Sequence, residues 1–284
     1  MEAFLRAWYD CTMINVVPSQ SVGDLLRQWR TRRRMSQLDF ATEANISTRH
    51  LSFLETGRSL PSRDMLLHLA EQLQIPLRER NVLLIAAGYA PVFPERPLDD
   101  PALDAARKAI DQVLAGHQPY PALAIDRHWS LIASNNAVRP LLGSITAALL
   151  QPPVNVLRLS LHPDGLAPRI ANLGEWRAHL LARLRRQIEL SADPILVDLL
   201  SELGQYPSSR ARSSTPITDR AFAEVAVPFQ LITENGVLAF LSTTMMFGTP
   251  VDITLSELAI EAFFPADGAT AESMHRLAGG HDQV

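Results

Sequence analysis

The sequence contains a single cysteine, Cys11, among its 284 residues. One cysteine cannot form a disulfide within the chain, and a zinc site built on it would need three ligands of other kinds. Long apolar runs are also missing, because the longest segment without a charged residue, 140–157, is interrupted by two prolines, a glutamine and an asparagine. These absences exclude a disulfide-stapled scaffold and a membrane-spanning helix, and they predict a cytoplasmic protein.

The short motifs of common enzyme classes are absent as well. The chain has no Gly-x-Gly-x-x-Gly, no Gly-x-x-x-x-Gly-Lys loop, no Gly-x-Ser-x-Gly and no His-Glu-x-x-His. Its eight histidines are scattered, and His128, His162 and His179 are expected to be surface or hydrogen-bonded single residues. The sequence therefore predicts a protein that is not an enzyme and that requires no metal or other cofactor.

The net charge of −4 hides an uneven distribution. Residues 21–90 carry ten arginines against seven acidic residues, and within 27–63 the ratio is eight to three. A local excess of arginine is typical of a surface that contacts a polyanion, but a solvated basic helix face has the same composition. Charge alone leaves both interpretations open.

Residues 21–90 show the start and stop signals of five short helices. Ser21 with Asp24, and Ser36 with Asp39, have the spacing of capping boxes and predict the first two helix N-termini. Apolar residues follow each of these signals at helical intervals. The remaining three helices are expected to begin at Ser47, at Pro61-Ser62 and at about Leu77.

The spacing of these helices resembles that of the XRE family of helix-turn-helix regulators. The resemblance covers roughly residues 22–87 and fixes two helices, a three-residue turn and a following Glu-x-Gly-Arg at set distances. Asn45 stands where the family usually has glycine, and asparagine is the next-best residue for a positive φ. The match is carried by Ser36–Ala41, Asn45–Ser47, Leu51–Arg58 and Pro61-Ser62.

This resemblance implies a recognition helix that reads double-stranded DNA. Arg49 is the candidate for a bidentate contact with guanine, and Gln37 resembles the family's phosphate-contacting glutamine. Arg30 and Glu55 stand at positions that usually pair, so a structural ion pair is expected there. Half-buried packing is the alternative role of Phe53. The expected DNA-contacting residues are Arg33, Gln37, Thr48, Arg49, Ser52, Phe53 and Arg58.

The composition changes after residue 90. Four prolines within 91–101 predict a linker, which leads into an amphipathic helix that ends before residue 119. Beyond it the apolar pattern becomes that of strands, and Asn235-Gly236 between two apolar runs is a strong hairpin signal. The predicted elements are strands at 122–126 and 129–134 joined at Arg127-His128, a helical insert over 136–203, strands at 224–233 and 237–247, and a strand at 257–264.

Tails are predicted at both ends of the chain. Residues 1–20 are interpreted as a tail or as the product of a misassigned start codon, with Met13 available as the start. They lack the basic start and the small-residue cleavage site of a signal peptide. Residues 268–284 are predicted to form a frayed tail.

The segments Ala122–Asn136 and Gly248–Pro265 resemble the MmyB-like regulators, over about residues 120–267. That family joins an XRE domain to a PAS-like sensor that binds a small, largely apolar ligand, and a fatty acid is the favoured ligand within it. Independently, a five-stranded antiparallel sheet with helices over one face offers an apolar concavity. The expected fold is multi-domain: an all-α five-helix helix-turn-helix domain at 21–90, then an α+β PAS-like domain with a five-stranded antiparallel sheet.

Candidate ligand contacts are the large apolar side chains of the strands and the insert, and a simple closed core is the alternative. Met245 and Met246 fit a malleable pocket or an irregular core equally well. A carboxylate head group would need a cation or hydroxyls, which His179, Arg183, Thr243 and Thr244 can supply. The expected ligand-contacting residues are Trp129, Trp176, His179, Leu180, Arg183, Phe229, Leu231, Phe240, Thr243, Met245 and Phe247.

Together these patterns predict a sequence-specific DNA-binding transcription regulator whose second domain binds an apolar ligand that modulates DNA affinity. Two alternatives stay open: a second domain that is a dimerisation or interaction module without ligand, and, less favoured, an enzyme fused to a helix-turn-helix domain. One helix-turn-helix domain contacts only a few base pairs, so a homodimer that binds half-sites about 10 base pairs apart is expected. Its interface is expected on the second domain or on the helix at 100–115.

Overall fold

A computed structural model of the chain describes residues 20–143, 145–207, 227–234 and 236–279. The chain divides into two compact units, residues 1–94 and 95–284. Among the described residues, no helix combines the length and the apolar content that crossing a bilayer requires.

Five helices build the described part of the first unit, residues 20–94, as the sequence predicts. Both predicted capping boxes, at Ser21 and at Ser36, are present. Ser47 and Ser62 cap the third and fourth helices by accepting a hydrogen bond from the backbone N–H three residues on. The helices are α1 (Val22–Arg32), α2 (Gln37–Glu43), α3 (Thr48–Glu55), α4 (Arg63–Gln72) and α5 (Leu77–Ala86).

The core of this unit depends on a close approach between α1 and α3. Leu26 and Phe40 are fully buried there, together with Leu54. A Cβ atom added at Gly23 would lie 2.5 Å from the carbonyl oxygen of Leu54 and 2.8 Å from that of Glu55. Glycine at this position therefore lets the backbone of α1 lie directly on the end of α3.

The second unit contains one five-stranded antiparallel sheet in the order β2-β1-β5-β4-β3. The five predicted strands and the helical insert between the second and third of them are confirmed. Residues 224–226 of the predicted third strand, and Asn235 of the predicted hairpin, lie outside the described residues. The strands are β1 (Ala122–Ile125), β2 (Leu131–Ser134), β3 (Phe229–Thr233), β4 (Gly236–Met246) and β5 (Ala259–Pro265).

Helices cover both faces of this sheet. The helix that precedes β1 packs Ile110 and Leu114 on a face lined by Ala122, Ala124 and Ala262. The insert helices bury their leucines on the other face. The α-helices in the described part of this unit are α6 (Asp104–Gly116), α7 (Arg139–Leu142), α8 (Val156–Leu161), α9 (Leu173–Ser191), α10 (Pro194–Gln205), α11 (Ile253–Ser256) and α12 (Gly268–Gly279).

Two segments differ from their predicted roles. Residues 91–119 were expected to form a proline-rich linker and a helix, but the part from residue 95 onward belongs to the second unit, where Arg96 donates to the buried Asp252 at 2.9 Å. The described part of the predicted tail is α12, whose Met274 is buried in the main core of that unit. A helix that buries so few apolar side chains gives a weak periodic signal in the sequence.

We expect Gly23→Ala to lower the free energy of unfolding of the first unit by about 1–3 kcal/mol, because its methyl group collides with backbone atoms that cannot move freely. The control is Gly174→Ala in α9, where no described heavy atom lies within 4 Å of the added Cβ. That change should be neutral or stabilise by up to about 1 kcal/mol. Hydrogen exchange of the α1 and α3 amides, compared with those of α9, measures both effects. Equal protection of α1 in Gly23→Ala and the parent would contradict the close approach.

Candidate functional site

The turn between α2 and α3 has the backbone geometry that the sequence predicts. Asn45 adopts φ +53°, in the left-handed region that asparagine tolerates better than most residues. The Nε2 atom of His68 on α4 lies 2.9 Å from the carbonyl oxygen of Ala44 and holds the turn against the core. The turn therefore sets a defined angle between α2 and α3.

The carboxylate of Glu55 joins three helices at the end of α3. Arg30 donates to it through Nε at 2.6 Å and through a terminal nitrogen at 3.0 Å. Gln37 donates to it through Nε2 at 2.8 Å. The predicted Arg30–Glu55 ion pair is thus confirmed, and the hydrogen bond with Glu55 raises the pKa of Arg30. Because Gln37 uses one of its two amide hydrogens in this way, the second is left for another acceptor.

The outward face of α3 presents guanidinium groups around one aromatic ring. Arg49 is exposed, and its guanidinium carbon lies 5.4 Å from the ring centroid of Phe53. Arg58, beyond the helix, lies 5.8 Å from the same centroid. Thr48 and Ser52 are half-buried on the same helix. The structure therefore brings together five of the seven predicted DNA-contacting residues, namely Thr48, Arg49, Ser52, Phe53 and Arg58. A sixth, Gln37, is hydrogen-bonded to Glu55 at the end of α3.

Arg33 has a different environment from the one expected. Its guanidinium donates to the carbonyl oxygens of Leu73 and Gln74 at 2.8 and 3.0 Å, and lies 5.4 Å from the ring centroid of Trp29. Burial, followed by the neighbouring Arg32, lowers the pKa of Arg33. These bonds use two of the five N–H donors of the guanidinium and tie Arg33 to the C-terminal end of α4, while the remaining donors are left for a phosphate.

In the second unit, a cavity of about 410 Å³ lies between the sheet and the insert helices. Its volume is in the range of small-molecule sites, and its lining is largely apolar. Seven residues that the sequence assigned to ligand contact line it: Trp129, Trp176, Leu180, Arg183, Phe229, Leu231 and Phe240. Residues that sequence reasoning missed also line it, among them Leu123, Leu131, Arg139, Leu141, Leu157, Glu261 and Phe263.

Three predicted ligand contacts lie on the opposite side of the sheet. Thr243 pairs with Ala262 and Met245 pairs with Ile260, and both partners face α6 rather than the cavity. Phe247 packs against that same cluster. Side chains alternate along a strand, so Phe240 on the cavity face places the side chains of residues 243 and 245 on the other one. Met246, also considered for the lining, is 65% exposed and does not line the cavity.

His179 is close to the cavity but does not line it. Its ring stacks on Trp176 with a centroid distance of 5.4 Å and an interplanar angle of 22°. Burial, followed by the positive charge of Arg183, lowers the pKa of His179. Both effects favour the neutral imidazole and disfavour the cation that the sequence interpretation assigned to His179.

One wall of the cavity contains the ion pair of Arg183 and Glu261, whose charges cancel. Arg183 donates to both carboxylate oxygens of Glu261, at 2.7 and 3.1 Å, and the Thr244 hydroxyl adds a hydrogen bond of 2.9 Å. The Arg183 guanidinium carbon also lies 4.9 Å from the ring centroid of Trp129. Glu261 is buried, and its only sequence signal is one acidic residue within the apolar strand β5.

Trp129 is held in an unusual backbone conformation at this wall. It follows the turn at Arg127-His128 and has φ +67°, which is rare for a large side chain. Its indole N–H donates to Gln187 on α9 at 2.8 Å, and the Gln187 amide donates to the carbonyl oxygen of Arg127 at 2.7 Å. Strained residues cluster at functional sites, which supports a binding role for this wall.

The cavity reaches solvent beside Ser134, Arg139 and Leu150, which line it and are exposed. We call these three residues the mouth. Among the described residues, no histidine or cysteine lines the cavity, and no group of three or more metal-ligating side chains is placed to hold an ion. The site thus combines an apolar interior, the Arg183–Glu261 ion pair in its wall and Arg139 at its mouth.

Two family models match the chain. The MmyB-like transcription regulator ligand binding domain matches residues 106–277, and a helix-turn-helix model matches residues 26–80. The second unit and the α1–α5 unit are therefore each covered by a known domain.

Two known proteins are similar to parts of the chain or to its fold. A curated protein of Methanoculleus marisnigri, provisionally named an HTH-type transcriptional regulatory protein, is 36% identical over 116 residues. The match covers 39% of this chain and 37% of that protein. The solved structure of an RNA-binding light-oxygen-voltage receptor matches at 12% identity with a TM-score of 0.25, over 100% of this chain and 70% of that one, and this likeness is too low to support an argument. Because the ligand-binding-domain model matches more than half of the chain, the protein belongs to the MmyB-like transcription regulators.

Proposed function

We propose that this helix-turn-helix regulator binds double-stranded DNA through the exposed face of α3 and binds a small apolar ligand, in the first place a fatty acid, in the cavity of its second unit. Ligand occupancy changes its affinity for DNA. The observation that carries the proposal is the cavity, an apolar space of about 410 Å³ within the domain that defines the family.

The DNA-binding part of the proposal starts from Arg49. An arginine is the commonest bidentate partner of guanine in the major groove. Phe53 lies between Arg49 and Arg58 and restricts the conformations of both side chains. Groups ordered before binding lose less entropy when DNA binds. We therefore assign base recognition to Arg49, phosphate contact to Arg58 and a positioning role to Phe53.

The ligand part of the proposal starts from the chemistry of the cavity wall. Leu231 and Phe240 are fully buried, and the charges of Arg183 and Glu261 cancel. Such a lining favours a ligand that is apolar over most of its length. The absence of a lining histidine or cysteine among the described residues argues against a hydrolase of the serine or cysteine type.

Regulation imposes one further condition on this ligand. A ligand that binds equally well to the protein with high and with low DNA affinity changes neither population. The cavity must therefore differ between the two states. The competing hypothesis, a dimerisation or interaction module without ligand, needs no such difference. Solvent extraction of the purified protein, followed by lipid analysis, separates the two, because a module without ligand releases no stoichiometric lipid.

We expect Arg49→Ala to weaken binding to a selected operator by about 1–3 kcal/mol and to relax the preference at one base position, while binding to random duplex DNA changes little. Arg58→Ala should weaken binding to the operator and to random duplex DNA alike. It should also lower by about one the slope of the logarithm of the binding constant against the logarithm of the salt concentration. Fluorescence titrations with both duplexes over a range of salt concentrations measure these effects. Arg185→Ala, at an exposed position on α9, removes the same charge and should change neither affinity. If Arg49→Ala lowers the affinity for operator and for random DNA equally, Arg49 does not contact a base.

We expect Leu231→Trp to fill the cavity and to abolish the stabilisation by ligand. For the parent protein, a fatty acid at 100 times its dissociation constant should raise the free energy of unfolding by about 2.7 kcal/mol. Met245→Trp is the matched control, because residue 245 lies on the strand next to the cavity but faces away from it. Thermal melting of the delipidated full chain measures the shift. A ligand-induced shift that persists in Leu231→Trp would place the ligand elsewhere.

We expect the full chain to be a homodimer, because one helix-turn-helix head reads too few base pairs for useful affinity. Both surfaces considered from the sequence belong to the second unit, and we favour α9 and α10 over α6, since Leu190, Ile195 and Val197 are exposed there. Sedimentation of the chain, alone and with a two-half-site duplex, measures the mass. A monomeric mass under both conditions would contradict the dimer.

A further inference from the structure

We propose that the mouth of the cavity contains an anion site centred on Arg139, which binds the carboxylate of a long-chain apolar acid while the chain of that acid enters the cavity. The inference rests on the proposed ligand-binding function and adds to it the place and the charge of the head group.

The arginine inside the cavity is a poor partner for a carboxylate ligand. Both oxygens of Glu261 already accept hydrogen bonds from Arg183 at 2.7 and 3.1 Å. A ligand carboxylate at this point would lie beside the carboxylate of Glu261, and two like charges in a buried site repel each other. Displacing Glu261 would leave that carboxylate buried and unpaired, which is strongly destabilising. The interior therefore selects against an anionic group.

Arg139 has the opposite environment. It lines the cavity, is exposed, and forms no hydrogen bond or ion pair with any residue that the structure describes. An apolar acid gains free energy when its hydrocarbon chain is buried, whereas its carboxylate loses hydration if it is buried as well. The head group is thus most stable where the cavity meets water, and Arg139 supplies a positive charge and a planar donor group at that place.

The backbone that carries Arg139 is anchored. Arg169 donates to the carbonyl oxygens of Leu141 and Leu142 at 2.9 and 3.1 Å, at the end of the same short helix. Gly143 follows with φ +60°, and a Cβ atom there would lie 2.6 Å from the Arg169 guanidinium. Leu141 and Leu142 also line the cavity. The guanidinium of Arg139 is therefore presented from a fixed segment of the cavity wall.

The test compares two probes of equal chain length, dodecanoic acid and 1-dodecanol, on the delipidated full chain. Calorimetric titration should show that the parent binds the acid more tightly than the alcohol, and that the difference shrinks at high salt. Arg139→Gln should weaken acid binding about three- to fivefold, the size expected for an ion pair open to water, and leave alcohol binding unchanged. Arg185→Gln, which removes an exposed charge outside the cavity lining, should change neither.

Each other outcome overturns the inference in a recognisable way. Unchanged acid binding in Arg139→Gln would place the head group elsewhere while ligand binding by the cavity stands. Equal weakening of acid and alcohol would mean that Arg139 shapes the mouth without recognising charge. If the parent binds neither probe, the proposed binding of fatty acid fails, and the anion site fails with it.

Discussion

Where α6 covers the sheet of the second unit, the strands present small side chains, whereas the opposite face presents large ones, and this difference determines where a ligand can bind. Ala122, Ala124 and Ala262 are fully buried under α6, so that helix lies close and its side chains fill the face. On the other face, Phe229 and Phe240 stand beneath the insert helices, which cover the sheet without filling the space above it. Side chains that line an apolar space forfeit dispersion contacts, and an apolar ligand in that space would supply them.

In the first unit, the corresponding organising interaction is the buried carboxylate of Glu55. It lies at the end of α3 and accepts hydrogen bonds from Arg30 on α1 and from Gln37 on α2. A buried carboxylate is tolerated only when it is paired, so the three helices must keep their mutual positions to satisfy it. The result is a fixed platform for the outward side chains of α3. The same ion pair that stabilises the core therefore also sets the angle at which Arg49 and Phe53 are presented.

The two arginines that line the cavity differ in whether an acidic residue lies beside them, and this difference determines the role of each. Arg183 and Arg139 both line the cavity. Arg183 is paired with Glu261 and contributes to the wall, whereas Arg139 lies at the mouth and has no ion partner among the described residues. Both arginines belong to the same insert, and nothing in their immediate sequence neighbours separates their roles. Only the strand that carries Glu261, packed below α9, distinguishes them.

The sequence by itself determined the features that depend on a few consecutive residues. Ser21 and Ser36 begin their helices, Asn45 takes a positive φ at the turn, and five strands form with the helical insert in its predicted place, because caps, turns and apolar periods act within about four residues. The tertiary structure alone decided which partner each side chain has and which face it occupies. Arg33 reaches Leu73 across 40 residues and Arg183 reaches Glu261 across 78, while strand alternation turned residues 243 and 245 away from the cavity. Such contacts follow from the packing of distant segments, and no local pattern encodes that packing.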